Sequence, residues 1–90
     1  MKYFDWSEEK NKILIQNRGV LFEMVVVCIQ AGDVVDKIKH PNYSKYPHQH
    51  IYIIKIDDYI YAVPFVEDDI KIFLKTIIPS RKLTKQYLNK

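Results

Sequence analysis

The residues best placed to do chemistry gather near the end of the chain. Between Ile70 and Ile78, Lys71, Phe73, Lys75 and Ile77 alternate with Ile70, Ile72, Leu74, Thr76 and Ile78. A strand sends alternate side chains to opposite faces, so the second set reads as core and the first as an outward face with two lysines. Arg81 and Lys82 follow just past Pro79, then Lys85 and Tyr87. Cations beside aromatic rings can hold a phosphodiester and stack a base. The same pattern also suits a wet strand whose lysines discourage edge pairing.

The other candidates carry less. His40, His48 and His50 sit close together, and His48 and His50 share a face if that stretch is extended. Two ligands do not make a zinc site, and no third or fourth ligand spacing is present. Histidine suits acid–base chemistry near neutrality better, though a loop histidine with no role fits better still. Tyr43, Tyr46, Tyr52, Tyr59, Tyr61 and Tyr87 can stack or donate protons, but tyrosines in β-rich chains commonly straddle core and surface. Asp57, Asp58, Glu67, Asp68 and Asp69 fall where tight turns are expected, so they read as turn chemistry and not as a magnesium site. The single cysteine, Cys28, lies in the apolar run Val25–Ile29 and reads as a buried, inert thiol. No phosphate-binding glycine loop, nucleophile elbow or zinc-finger pattern occurs.

Ninety residues, 48% of them hydrophobic, allow one domain with an efficient core. Ser7 is a good N-cap, and Glu8 and Glu9 suit the positive end of a helix dipole. A first helix is predicted from Glu8 to Asn17, with Ile13 and Leu14 inward and Gly19 as its stop. Phe22, Val25, Val26 and Ile29 trace one face of a second helix, ended by Gly32. Residues 2–5 suit a short edge strand, and Val34 to Lys39 a weakly alternating one. After a turn-rich stretch from His40 to Gln49, strands are predicted at Ile51–Ile56, Tyr59–Val66 and Ile70–Ile78, with a short helix from Arg81 to Asn89. Links this short force an antiparallel meander, and Pro64 marks an edge or a bulge in its strand. The expected fold class is α+β, with two N-terminal helices on one face of an antiparallel meander and a short C-terminal helix. No apolar run reaches the length of a membrane span or a signal-peptide core, and one cysteine fits a reducing cytoplasm. Charge is uneven: residues 1–69 hold eight Lys/Arg against eleven Asp/Glu, and residues 70–90 hold six Lys/Arg and no acid. That basic third suits an anionic partner, nucleic acid or an acidic protein segment.

Three segments together resemble BrnT-type toxins of bacterial toxin–antitoxin pairs. Phe4-Asp5-Trp6-Ser7-Glu8-Glu9-Lys10-Asn11 is similar to their opening, and Arg18-Gly19-Val20-Leu21-Phe22-Glu23 to their linker between helices. Thr76-Ile77-Ile78-Pro79-Ser80-Arg81-Lys82-Leu83-Thr84-Lys85, followed by Tyr87, is similar to their C-terminal segment. The resemblance implies a RelE-like fold and a metal-independent endoribonuclease, without cofactor, that halts translation. It further implies that Arg81 clamps the phosphate, that Lys75 or Lys82 assists, and that Tyr87 orients RNA or moves a proton. Lys71, Lys82, Lys85 and Arg18 would then bind RNA. The implied partner is a small antitoxin, of ribbon-helix-helix or related type, through which alone operator DNA is reached. The chain departs from the family pattern at Arg18, where a histidine is usual, and at Leu21, where a serine cap is usual. A catalytically inactive interaction module of the same fold is the competing expectation.

Overall fold

Ser7 opens the first helix as its neighbours require. The computed structural model describes residues 2–39, 41, 44–45 and 48–88. After β1 (Tyr3–Asp5), the Ser7 hydroxyl accepts from the Lys10 N–H at 3.2 Å and starts α1 (Glu8–Arg18). Gly19 ends α1 in the left-handed region, φ 67°, with its N–H donating to the Ile15 carbonyl. That conformation strains any residue with a Cβ. Helix α2 (Phe22–Gln30) follows at 95° to α1. No single helix among the described residues is long and apolar enough to cross a membrane.

Leu21, the N-cap of α2, offers no side-chain hydrogen bond. The cap comes instead from α1. Asn11 is buried, its Oδ1 accepting from the Phe22 N–H at 2.8 Å and its Nδ2 donating to Glu23 at 2.8 Å. One amide thus satisfies an orphan donor of α2 and fixes the corner between the helices.

The strands are β2 (Val34–Lys39), β3 (Gln49–Ile56), β4 (Tyr59–Glu67), β5 (Lys71–Leu74) and β6 (Ile78–Pro79), followed by α3 (Arg81–Leu88). Their order is β1-β5-β4-β3-β2, with β6 also on β4. The meander from β3 to β5 is antiparallel as expected, and β2 joins it antiparallel. At the far edge β1 runs parallel to β5, which makes the sheet mixed. Asp57 and Asp58 turn between β3 and β4 with φ of 52° and 63°. Positive φ at both centres is what a two-residue hairpin demands, and Asp tolerates it better than most residues.

Register assigns the faces, because directly paired residues point the same way. Tyr52, Ile54 and Ile56 of β3 with Val63 and Phe65 of β4 pack against Leu14, Phe22 and Val25. Full burial of each large apolar side chain contributes about 1.5–3 kcal/mol, so this face is the main core. Ile13, expected inward, is 44% exposed. The buried side of α1 carries Leu14 against the sheet core and Asn11 against the start of α2, and leaves Ile13 outside.

The last strand is not continuous, contrary to the Ile70–Ile78 reading. Phe65 pairs with Leu74 but Ala62 pairs with Ile78, so the second strand gains one residue over β4. This is a β-bulge. It lies opposite Pro64, which has no N–H to give, while the Pro64 carbonyl accepts from the Lys75 N–H at 2.9 Å. The extra residue inverts the alternation: Ile77, expected outward, is fully buried, and Ile78, expected inward, is 42% exposed. Ile70, also expected in the core, precedes β5 and is exposed. The Arg18 guanidinium donates to the Ile77 carbonyl and ties the bulge to the end of α1.

Helix α3 takes the other face of the sheet. Ile53 and Ile60 point away from the main core, are fully buried, and lie under α3. The Ser80 N–H donates to the Ile60 carbonyl and the Thr84 hydroxyl accepts from the Ile60 N–H, both at 3.0 Å. The Ser80 hydroxyl caps α3 by accepting from the Leu83 N–H.

Asn11→Ala is expected to strand the Phe22 N–H, a loss of about 1–3 kcal/mol. At about 4–8 °C per kcal/mol for a domain this size, the thermal midpoint should fall by roughly 10 °C. A melt followed by circular dichroism checks this, with exposed Lys12→Ala as the control expected to leave the midpoint in place.

Candidate functional site

The C-terminal cations collect on one side of α3. Arg81, Lys82 and Lys85 are exposed, whereas Leu83, Thr84 and Tyr87 are half-buried against the sheet. That division is the 3.6-residue period of an amphipathic helix. The first turn of α3 carries Arg81 and Lys82 and no acid. Cations at the positive end of a helix dipole are unfavourably placed by about 0.3–1 kcal/mol, and an anion there relieves both.

Lys75 continues the β5 register opposite Pro64 and so faces the α3 side of the sheet, with Phe73 and Lys71. Ile51, Pro64, Val66 and Phe73 are half-buried on that face, with Ile38 exposed at its β2 margin, and no described helix lies over them. The arrangement is an open apolar shelf, bordered by α3 along one side and by Lys75 and Lys71 at one end.

The seven residues singled out from sequence divide in two. Lys75, Arg81, Lys82 and Lys85 make no ion pair among the described residues. The other three are engaged within the fold. Lys71 pairs with Asp5 at 3.2 Å across β5 and β1, and that hydrogen bond holds its ammonium above the usual lysine range. Arg18 is spent on the Ile77 carbonyl. Tyr87 donates from its hydroxyl to Asp36 Oδ2 at 3.1 Å, and burial together with this bond pushes its phenol up.

A second cluster lies on the helix-covered face, beyond the helices. Glu67 receives Lys2 at 2.5 Å and Lys37 at 3.9 Å. Lys37 also sits 5.8 Å from the Tyr52 ring centroid and 5.6 Å from that of Phe65. His50 stacks on Phe65 at 5.8 Å, with its Nδ1 buried and unpartnered. The Lys2 hydrogen bond holds the Glu67 carboxyl below its ordinary value, and burial followed by the charge of Glu67 pushes the Tyr52 phenol up. Lys2, His48, His50, Val66, Glu67, Asp68 and Asp69 line an open groove here of about 590 Å³. The sequence reading placed Glu67 in a turn, whereas it ends β4 opposite Ile72. Nothing local could have joined it to Lys2, 65 positions away. Asp68 does make a turn, accepting from the Ile70 and Lys71 N–H groups, which lower its carboxyl.

No group of three His, Cys, Asp or Glu among the described residues is arranged to hold a metal. His40, Tyr43 and Tyr46 lie outside the described residues. Cys28 is half-buried, and burial pushes its thiol up, away from the reactive range. No family model, curated protein or solved structure matches this chain.

Glu67 sets an acid-side stability dependence. A carboxyl lowered in the fold contributes stability that is present above its unfolded value, ordinarily 4.5, and is lost as pH falls through the folded value. Denaturant titrations from pH 6 to pH 3 should therefore show Glu67→Gln losing less stability than the parent over that interval.

Proposed function

We propose that this protein is a cytoplasmic, metal-independent endoribonuclease toxin that halts translation and is silenced by a small antitoxin. The observation that carries the reading is that Lys75, Arg81, Lys82 and Lys85, which make no ion pair among the described residues, lie beside the open shelf that includes Phe73. A phosphodiester backbone would neutralise them, and unpaired bases would stack or pack on the apolar floor. The resemblance of residues 76–87 to BrnT-type toxins supports the same assignment.

In this reading Arg81 is the phosphate clamp. Its planar guanidinium offers paired donors to a phosphate, at the helix end where backbone N–H groups favour an anion. Lys75, Lys82 and Lys85 hold the neighbouring linkages, and Tyr87 serves the reacting one. Lys71 and Arg18 contribute by positioning β1 and the bulge. The turn roles of Asp57, Asp58 and Asp68 and the hold of Lys2 on Glu67 support cleavage without a divalent ion.

Arg81→Ala should lower RNA cleavage about 100- to 1,000-fold, the usual effect of losing one transition-state donor, while thermal unfolding is unchanged. Lys12→Ala, on the exposed side of α1, should cleave like the parent, and chelator should have no effect. Full activity in Arg81→Ala at matched concentration would exclude the clamp.

A protein partner follows from the same surface. An acidic antitoxin segment would be steered to α3 and anchored on the apolar shelf, hiding the cations from RNA. Co-expression with the adjacent small reading frame should yield a salt-sensitive complex in which Lys75 and Lys82 are protected from amine labelling. Labelling of both at the rate of the free protein would exclude occlusion. The competing reading, an inactive interaction module, draws on the engagement of Arg18 and Tyr87 in contacts within the fold; it predicts a complex but no cleavage.

A further inference from the structure

Tyr87 and Asp36 are 51 positions apart in sequence and meet across the face that carries the shelf. Asp36 pairs with Ile53 of β3, so its side chain shares the face of Ile53, on which α3 lies. Its two oxygens have separate duties. Oδ1 accepts from the Lys37 backbone N–H at 2.8 Å, which pins the carboxylate to its own strand, and Oδ2 accepts from the Tyr87 hydroxyl at 3.1 Å. None of the ion pairs among the described residues involves Asp36. A phenol has one proton and two acceptor lone pairs. With that proton given to Asp36, Tyr87 can meet a further group only as an acceptor.

We propose that Asp36 is the positioning residue for Tyr87, holding its phenol oxygen as the acceptor for an RNA 2′-hydroxyl proton; this rests on the RNA-cleaving reading above. In the step, the 2′-oxygen bonds to the adjacent phosphorus as its proton passes to the Tyr87 oxygen. The proton already on Tyr87 passes to Asp36. The bond from phosphorus to the 5′-oxygen breaks, and that oxygen takes a proton from water. The products are a 2′,3′-cyclic phosphate and a 5′-hydroxyl end. Neither oxygen of Tyr87 or Asp36 need be ionised beyond the carboxylate at the start, and the pair returns to its first state by passing one proton to solvent.

A simple latch that fastens α3 to β2 would use the same hydrogen bond, so the test must separate the two. Asp36→Asn keeps one acceptor oxygen, enough for the Tyr87 hydroxyl while the exposed Lys37 N–H turns to water, and removes the capacity to take the Tyr87 proton. The full-length chain is assayed on a 5′-labelled ribo-oligonucleotide in chelator, with kcat, KM and the thermal midpoint measured for the parent, Asp36→Asn, Tyr87→Phe and the double variant. The expected result is a fall of about 100-fold in kcat for each single variant, with KM within twofold and the midpoint unchanged. The double variant should be no worse than either, because the two act as a unit. If Asp36→Asn stays within threefold of the parent while Tyr87→Phe is inactive, Asp36 has no such role and the cleaving reading stands. If Asp36→Asn acts only by raising KM or lowering the midpoint, the bond is a latch and the proposal is overturned. A parent protein that cleaves no RNA overturns both.

Discussion

The buried amide of Asn11 is the contact on which the rest of the arrangement hangs. Helix α2 begins at Leu21, which has no side-chain cap, and its first N–H would face the core without a partner. Asn11 supplies the acceptor from α1 and holds Glu23 with its donor. Because one side chain serves both helices, their 95° corner is set by hydrogen-bond geometry and not by apolar packing alone. That corner delivers Phe22 and Val25 to the sheet face on which Tyr52, Val63 and Phe65 stand. With this face filled, a further helix can cover only the other one.

The bulge opposite Pro64 decides how α3 reaches that other face. A proline inside a central strand withholds one donor, and the neighbouring strand answers by inserting a residue. The insertion turns Ile77 into the main core, where the Arg18 guanidinium holds its carbonyl from the end of α1. Beyond Ile78 and Pro79 the chain therefore leaves on the side away from α1 and α2. Ser80 then caps α3 over Ile60, and Tyr87 closes the far end on Asp36.

Charge follows the same division. Among the described residues, Glu67 takes Lys2 and Lys37, Asp5 takes Lys71, and Asp58 takes Lys55. The cations of α3 have no such neighbours, since no acid follows Asp69 in the sequence and the outward side of the helix faces solvent. Exposed ion pairs contribute little stability each. Arg81, Lys82 and Lys85 instead stand exposed together on α3, a positive surface that an anionic polymer reads first.

Whatever depends on neighbours within about four residues was legible in the sequence by itself. Ser7 with Glu8 and Glu9 starts α1, Gly19 stops it, the apolar period of Phe22, Val25, Val26 and Ile29 marks α2, and Asp57-Asp58 closes a hairpin. The antiparallel meander followed too, because its links are too short for anything else, whereas Pro64, expected to mark an edge or a bulge in its own strand, sits in a central strand with the bulge in the neighbouring one. Only the tertiary structure decided what lies beyond that reach. An asparagine in mid-helix carries no local sign that it will cap another helix, so spacing alone assigns Asn11 no such role and points Ile13 inward. Strict alternation assumes an unbroken register, so one inserted residue exchanged the expected faces of Ile77 and Ile78. Lys2 with Glu67, Arg18 with Ile77 and Asp36 with Tyr87 are joined by strand order and helix placement, to which sequence spacing is blind. For that reason the cations of the candidate site were visible in advance, while the carboxylate set against its tyrosine was not.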